Sequence, residues 1–107
     1  PQDVATLDSR KSVLFAKELN VPVIGIIENM SGFICPYCGK EIDLFGKGGA
    51  EASARKLNVP FLGRIPVEPE IVKLSDSGKP FVYFNKDLVA SKVTDEIIEK
   101  IIAYLEG

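Results

Sequence analysis

Cys35 and Cys38 are the only cysteines in a chain of 107 residues that has no histidine. Without histidine the chain lacks the commonest general base and the commonest metal ligand, so metal or redox chemistry rests on this pair. The segment Cys35-Pro36-Tyr37-Cys38-Gly39 is open to three readings. A dithiol redox centre is one, because Cys-x-x-Cys at a helix start lowers a thiol pKa. Against it, Gly39-Lys40-Glu41-Ile42-Asp43 shows no helical stripe. A metal knuckle is the second, with two sulfurs presented on a tight turn. Zinc and iron–sulfur sites usually take four ligands, and one chain offers two. Two chains related by a two-fold axis through this loop would close a four-cysteine site, so a bound metal predicts a dimer. The third reading is two inert thiols on a surface loop in a reducing cytosol.

Two further clusters resemble ligand sites. Gly46-Lys47-Gly48-Gly49-Ala50-Glu51-Ala52-Ser53 is a near miss to a phosphate-binding loop. Ala52 stands where the phosphate lysine belongs, and the Glu51 carboxylate would repel phosphates. The cluster reads instead as a turn feeding a helix N-terminus. In open parallel sheets ligands bind beyond the carboxyl ends of the strands, which directs attention to Glu28-Asn29-Met30-Ser31 and Pro66-Val67-Glu68-Pro69. The Asn29 amide offers donor and acceptor together, as the edge of adenine requires, and Pro66 can cover a base face. Loop capping by Asn29 and plain rigidity at Pro66 are the alternatives. No residue is put forward as catalytic.

The elements that must position these residues follow from periodicity. Residues 3–19 predict a helix, with Asp3 as cap and Val4, Leu7, Leu14 and Leu19 as apolar positions interrupted by Lys11. Asn20 suits a left-handed exit and Pro22 prevents continuation. Val23-Ile24-Gly25-Ile26-Ile27 lacks polar alternation, as a strand covered on both faces does. The grammar repeats: Lys17-Glu18-Leu19-Asn20-Val21-Pro22-Val23-Ile24-Gly25 is echoed by Arg55-Lys56-Leu57-Asn58-Val59-Pro60-Phe61-Leu62-Gly63. Two such units imply helices packed on a parallel sheet. A loop over 30–45 then a helix from about Gly48 to Leu57, with Ala50, Ala54 and Leu57 on its small face, separate the two strands. Pro69 opens a short helix that Gly78-Lys79-Pro80 closes. Phe81–Phe84 reads as extended. A last helix runs from about Asp87 to Leu105, with Ala90, Val93, Ile97, Ile101 and Tyr104 as a stripe widened by Ile98, Ile102 and Leu105.

Composition sets the outer bounds. The chain is 46% hydrophobic and 26% charged with a net charge of −2, which suits one globular domain. It contains no run of roughly 18 apolar residues, the length a membrane-spanning helix needs. The polar start Pro1-Gln2-Asp3 does not read as a signal peptide. Interspersed charges of both signs make non-specific nucleic-acid binding a poor expectation. Pro1 in place of a start methionine, and a helix with no strand before it, suggest a portion of something larger.

Several segments together resemble the Mrp/ApbC family. They are Pro1-Gln2-Asp3-Val4-Ala5, the run from Val21 to Ser31, Cys35-Pro36-Tyr37-Cys38-Gly39, Phe45-Gly46-Lys47-Gly48-Gly49-Ala50, Ile65-Pro66-Val67-Glu68-Pro69 and Ser75-Asp76-Ser77-Gly78-Lys79-Pro80. The resemblance implies a three-layer α/β/α P-loop NTPase domain with a parallel sheet, related to MinD and the nitrogenase iron protein. It implies a cytoplasmic homodimer that carries a [4Fe–4S] cluster bridged by Cys35 and Cys38 of both subunits and passes it to apo iron–sulfur proteins. Asn29 would contact the adenine of ATP, and Pro66 with Glu68 would form the second base-contacting loop. The family usually has Asp at the position of Glu68. The resemblance also implies that the phosphate-binding lysines and the residues that bind Mg2+ lie upstream of Pro1. Residues 1–107 would then be the C-terminal portion of one ATPase domain, inactive in hydrolysis by itself. Two rivals stand beside this reading. One is a MinD/ParA-type regulatory ATPase with zinc or no metal at the cysteines, which would need a membrane-binding tail or a DNA partner. From Asp95 onward Lys100 is the only basic residue, among Asp95, Glu96, Glu99 and Glu106, so the last helix lacks the basic face of a membrane-surface helix. The other is a glutaredoxin-like oxidoreductase.

Overall fold

The computed structural model describes residues 2–42 and 49–107. Three helices stop by the same device. In α1 (Gln2–Glu18) the Val21 N–H bonds to the Ala16 carbonyl at 2.9 Å and the Asn20 N–H to Lys17 at 3.1 Å, with Asn20 at φ 58°. In α2 (Gly49–Leu57) Val59 bonds to Ala54 at 3.0 Å and Asn58 to Arg55 at 3.3 Å, with Asn58 at φ 57°. In α3 (Pro69–Asp76) Lys79 bonds to Leu74 at 2.8 Å and Gly78 to Ser75 at 3.0 Å, with Gly78 at φ 73°. These are Schellman caps, in which a left-handed residue lets two backbone N–H groups turn back onto orphan carbonyls. The sequence echo between 17–25 and 55–63 is therefore an echo of geometry.

Each of the first two caps leads to a strand of the central sheet, β1 (Ile26–Ile34) and β3 (Phe61–Val67), which pair in parallel. The short β2 (Glu41–Ile42) adds antiparallel to β1, giving the order β2-β1-β3. α4 (Phe81–Phe84) and α5 (Val89–Glu106) complete the described chain.

Four expectations need correction. Val23, Ile24 and Gly25 precede the strand, and β1 runs on through Asn29 to Ile34. The segment expected as a loop over 30–45 is, within the described residues, mainly a β-hairpin, with Phe33 opposite Ile42 and Ile34 opposite Glu41. Phe81–Phe84 forms a helical turn: Pro80 presets the entry, its carbonyl accepts from Tyr83 and Phe84, and Asn85 bonds to Phe81 at 2.9 Å. The β-favouring side chains of this run have no strand to pair with, so local hydrogen bonding prevails. Finally, Leu7, Leu14 and Leu19 are half or more exposed, while among the described side chains of α1 Val13 is the buried one. Val4 and the residues 43–48 of the glycine-rich segment lie outside the side chains described.

The layers follow from side-chain alternation along β3. Neighbouring residues of a strand face opposite sides of a sheet. Arg64 reaches Glu51 of α2, whereas Gly63 faces Ile97 and Val93 of α5. α2 with α1 thus covers one face and α5 the other, the expected α/β/α order. The last helix contributes Ala90 and Ile97 to the core, joined by Leu62, Ala54, Ile34 and Val13. Tyr104, Ile98, Ile102 and Leu105, expected within its apolar stripe, are at least 43% exposed. The helix comes close because position 63 is glycine. A Cβ there would lie 2.9 Å from Cγ1 and 3.0 Å from Cδ1 of the buried Ile97. Gly63→Ala is expected to lower the free energy of unfolding by about 1–3 kcal/mol through overpacking. An unchanged urea midpoint would show that α5 does not rest on this glycine.

Candidate functional site

The cysteines occupy the tip of the β1–β2 hairpin. The Cys35 N–H bonds to the Lys40 carbonyl at 3.0 Å and the Gly39 N–H returns to the Cys35 carbonyl at 2.9 Å. Gly39 takes φ 72°, which closes the turn. Cys35 is half-buried, Cys38 is exposed, and Tyr37 between them is 96% exposed. The backbone N–H groups of Tyr37 and then Cys38, followed by the Cys38 thiol, hold the Cys35 thiol below its ordinary pKa. Donors converging on one sulfur stabilise its thiolate, the form that binds metal. This hairpin tip is no helix start, so the arrangement that favours dithiol redox enzymes is missing from the described residues.

Asn29 and Pro66 meet across the parallel ladder. Asn29 pairs with Ile65 and Phe33 with Val67, so β1 carries two more residues than β3 over this interval. Pro66 has no N–H to give to the ladder, and a bulge is where a strand accommodates that loss. Met30 takes up the bulge at φ 54°, and its N–H bonds to Asn29 Oδ1 at 2.9 Å. The Asn29 side chain thus performs the loop-capping role and keeps its amide NH2 as a donor. Asn29, Met30, Pro66, Glu68, Val72 and Phe81 line a cavity of about 350 Å3, within the size range of small-ligand sites.

Glu68 sits at the end of β3 and is 6% exposed. Its Oε1 accepts the Ala90 N–H at 2.7 Å. The N-cap residue of α5, Leu88, makes no side-chain cap, so the carboxylate of Glu68 supplies it from 22 residues away. An acidic group at a helix N-terminus also meets the positive end of its dipole. Glu68 lines a second cavity, of about 400 Å3, with Cys35, Pro36, Glu70, Lys73 and Asn85. Sequence reading brought Glu68 to the first cavity but missed the cap, Lys73 and Asn85. The signal available was an apolar residue, Leu88, at a helix start.

Glu51 does not face a phosphate among the described residues. It pairs with Arg64 and, at 3.3 Å, with Arg55, while Arg64 Nε lies 2.9 Å from Glu28 Oε2. Burial opposes the Arg64 charge, but Glu51 and Glu28 outweigh it and raise the guanidinium pKa. This network ties α2 to both parallel strands. One measurement tests the cysteine geometry. In the metal-free protein the alkylation rate of Cys35 should rise with a midpoint below that of a cysteine in an unstructured peptide, because the thiolate is the nucleophile. A midpoint at or above that value would reject the N–H cradle.

Comparison with known proteins fits this geometry. The family described as ParA, NUBPL iron-transfer P-loop NTPase, matches residues 1–102. The iron-sulfur cluster carrier protein of Methanocaldococcus jannaschii is 50% identical over 107 residues, covering all of this chain and 36% of the relative. The cell division ATPase MinD of Pyrococcus furiosus shares the fold, with a TM-score of 0.67 at 22% identity over 92% of this chain and 38% of that one. The nucleotide-binding protein of Archaeoglobus fulgidus, solved in complex with ADP, superposes with a TM-score of 0.58 at 40% identity, covering 66% of this chain and 29% of that one. The chain thus spans about a third of the curated relative it matches. With the family match running over nearly all of its length, the chain belongs to the ParA-type NUBPL iron-transfer P-loop NTPases.

Proposed function

We propose that the protein carries an iron–sulfur cluster, held as cargo between the Cys35 and Cys38 thiolates of two copies, and hands it to apo-proteins. The observation that carries this reading is the hairpin tip, which sets Cys35 and Cys38 on one tight turn with Cys38 and the intervening Tyr37 open to solvent. Among the described residues no group of three or more His, Cys, Asp or Glu could hold a metal, and the sequence has no other cysteine. Two thiolates per chain match a site shared by two chains. Transfer is ligand exchange: each acceptor thiol loses its proton as its sulfur binds iron, and each released cysteine takes one up. No electron moves. Labile thiolate ligands of this kind suit the reducing cytoplasm. No described helix is long and apolar enough to cross a membrane.

The Asn29 cavity is the proposed seat of the adenine of ATP, with Pro66 against the base face and Glu68 in the second loop. The A. fulgidus neighbour, solved with ADP, supports nucleotide binding. Phosphate and Mg2+ binding are assigned to parts of the protein beyond this chain, which would be the C-terminal portion of one ATPase domain. Two observations favour that assignment. Leu14, Phe15 and Leu19 leave an apolar face of α1 more than half exposed. The radius of gyration is 15.1 Å, against about 13 Å for a compact domain of this length.

Iron, sulfide and zinc per chain, with solution mass, test the reading on anaerobically reconstituted protein. About four irons and four sulfides per dimer are expected, lost together with the dimer in Cys35→Ser. Zinc alone would make the hairpin a structural clasp and favour a regulatory ATPase. A metal-free monomer would overturn the carrier reading.

A further inference from the structure

Glu68 is the residue common to the walls of both cavities, the one containing Asn29 and the one containing Cys35. Its backbone stands at the N-cap of α3, with Pro69 following, and its side chain is spent on the N-terminus of α5. α4 and its connection to α5 run from one cavity to the other: Phe81, opening α4, lines the first, and Asn85 with Leu88 in the connection line the second. Ser91, fully buried, straps that connection from inside α5. Its Oγ donates to the Asn85 carbonyl at 2.6 Å and lies 3.4 Å from the carbonyl of Phe81. A closely packed interior transmits displacement rather than absorbing it. A ligand that shifts Pro66 or Phe81 would therefore press on the Glu68–Ala90 clamp, and Glu68 also lines the cavity of Cys35.

We propose that Glu68 is a positioning residue that couples the two cavities, so that nucleotide in the Asn29 cavity alters how readily cluster leaves Cys35. This rests on the cluster-carrier reading above. The coupling depends on the reach of the side chain. Aspartate, shorter by one carbon–carbon bond of about 1.5 Å, leaves the Ala90 N–H without its acceptor. Glutamine keeps both the length and an acceptor oxygen while removing the charge. An added nucleotide can change transfer only by its differential affinity for the two arrangements.

The test uses the full-length, cluster-loaded protein, with cluster loss to an iron chelator timed with and without ADP. In the unsubstituted protein ADP should change the rate by at least about fivefold, the low end of ordinary coupling factors. Glu68→Asp should bring that ratio to about one, and Glu68→Gln should restore it. Because the amide also restores the Ala90 cap, urea midpoints and ADP affinities are measured alongside: a ratio lost at unchanged midpoint and affinity is coupling, and one that only tracks either of them overturns it. Ser91→Ala, which lines neither cavity, should also lower the ratio and decides the matter where Glu68→Asp fails to fold. An unchanged ratio in both Glu68→Asp and Ser91→Ala overturns the coupling while leaving the carrier intact. Bound ADP with no effect on the unsubstituted rate overturns it as well. Failure to load cluster or bind ADP would instead sink the reading on which it rests.

Discussion

Pro66 is the constraint around which this structure is organised. A parallel ladder needs an N–H from every second residue of each strand, and proline in β3 cannot provide one. The pairing of β1 and β3 consequently loses register between Asn29 and Phe33. The surplus residues of β1 are absorbed at Met30 in a left-handed conformation, held by the Asn29 side chain. A cavity opens at that break because neither strand can fill it with ladder bonds. After it the register resumes at Phe33 and Val67, so β1 continues into the hairpin that holds the cysteines. One missing hydrogen-bond donor thus both opens a ligand-sized space and leaves the cysteine hairpin a few residues further along the same strand.

The two faces of the sheet divide the remaining work. On the α2 face, Arg64 gathers Glu28 and Glu51 into a network that locks strand to strand and strand to helix. On the α5 face there is no such charge network among the described contacts. Packing there depends on Gly63 admitting Ile97, and on the Lys100 ammonium donating to the Leu62 carbonyl at 2.9 Å. Ionic ties resist sliding because their geometry is directional, whereas an apolar contact tolerates small shifts. The ionic ties lie on the α2 face, and the cavities lie where α3, α4 and the start of α5 meet the strand ends.

What the sequence disclosed and what it hid have separate physical origins. The helix exits at Asn20, Asn58 and Gly78 were legible because few residues accept a left-handed backbone. The parallel strands were legible from unbroken apolar runs, and the cysteine pair from its spacing. Strand limits were not. Residues 23–25 have every intrinsic feature of a strand, yet Pro60 and Pro66 decide where pairing begins and breaks, with Ile26 bonding to the Pro60 carbonyl at 2.9 Å. The helical turn at 81–84 was hidden for a related reason, since β propensity counts only where a partner strand exists. The most consequential omission was the cap that Glu68 gives to α5. Its role depends on a helix 22 residues later starting within reach of one carboxylate, and no local pattern encodes that distance.

On the carrier reading proposed above, the cysteine tip needs little machinery. A resident metal site closes all its ligands within one fold, with a shell that fixes each ligand's orientation. Here each chain offers two sulfurs on an exposed turn, and the support given to Cys35 is backbone N–H rather than a buried second shell. Backbone donors lower the cost of forming the thiolate without enclosing it, so affinity is gained while access for an incoming thiol is kept. A deeper pocket would release cluster more slowly, because an acceptor thiolate needs access before it can replace a ligand. Exposure at Cys38 and Tyr37 is the feature that proposed delivery would require, and burial is found one layer back, at Glu68.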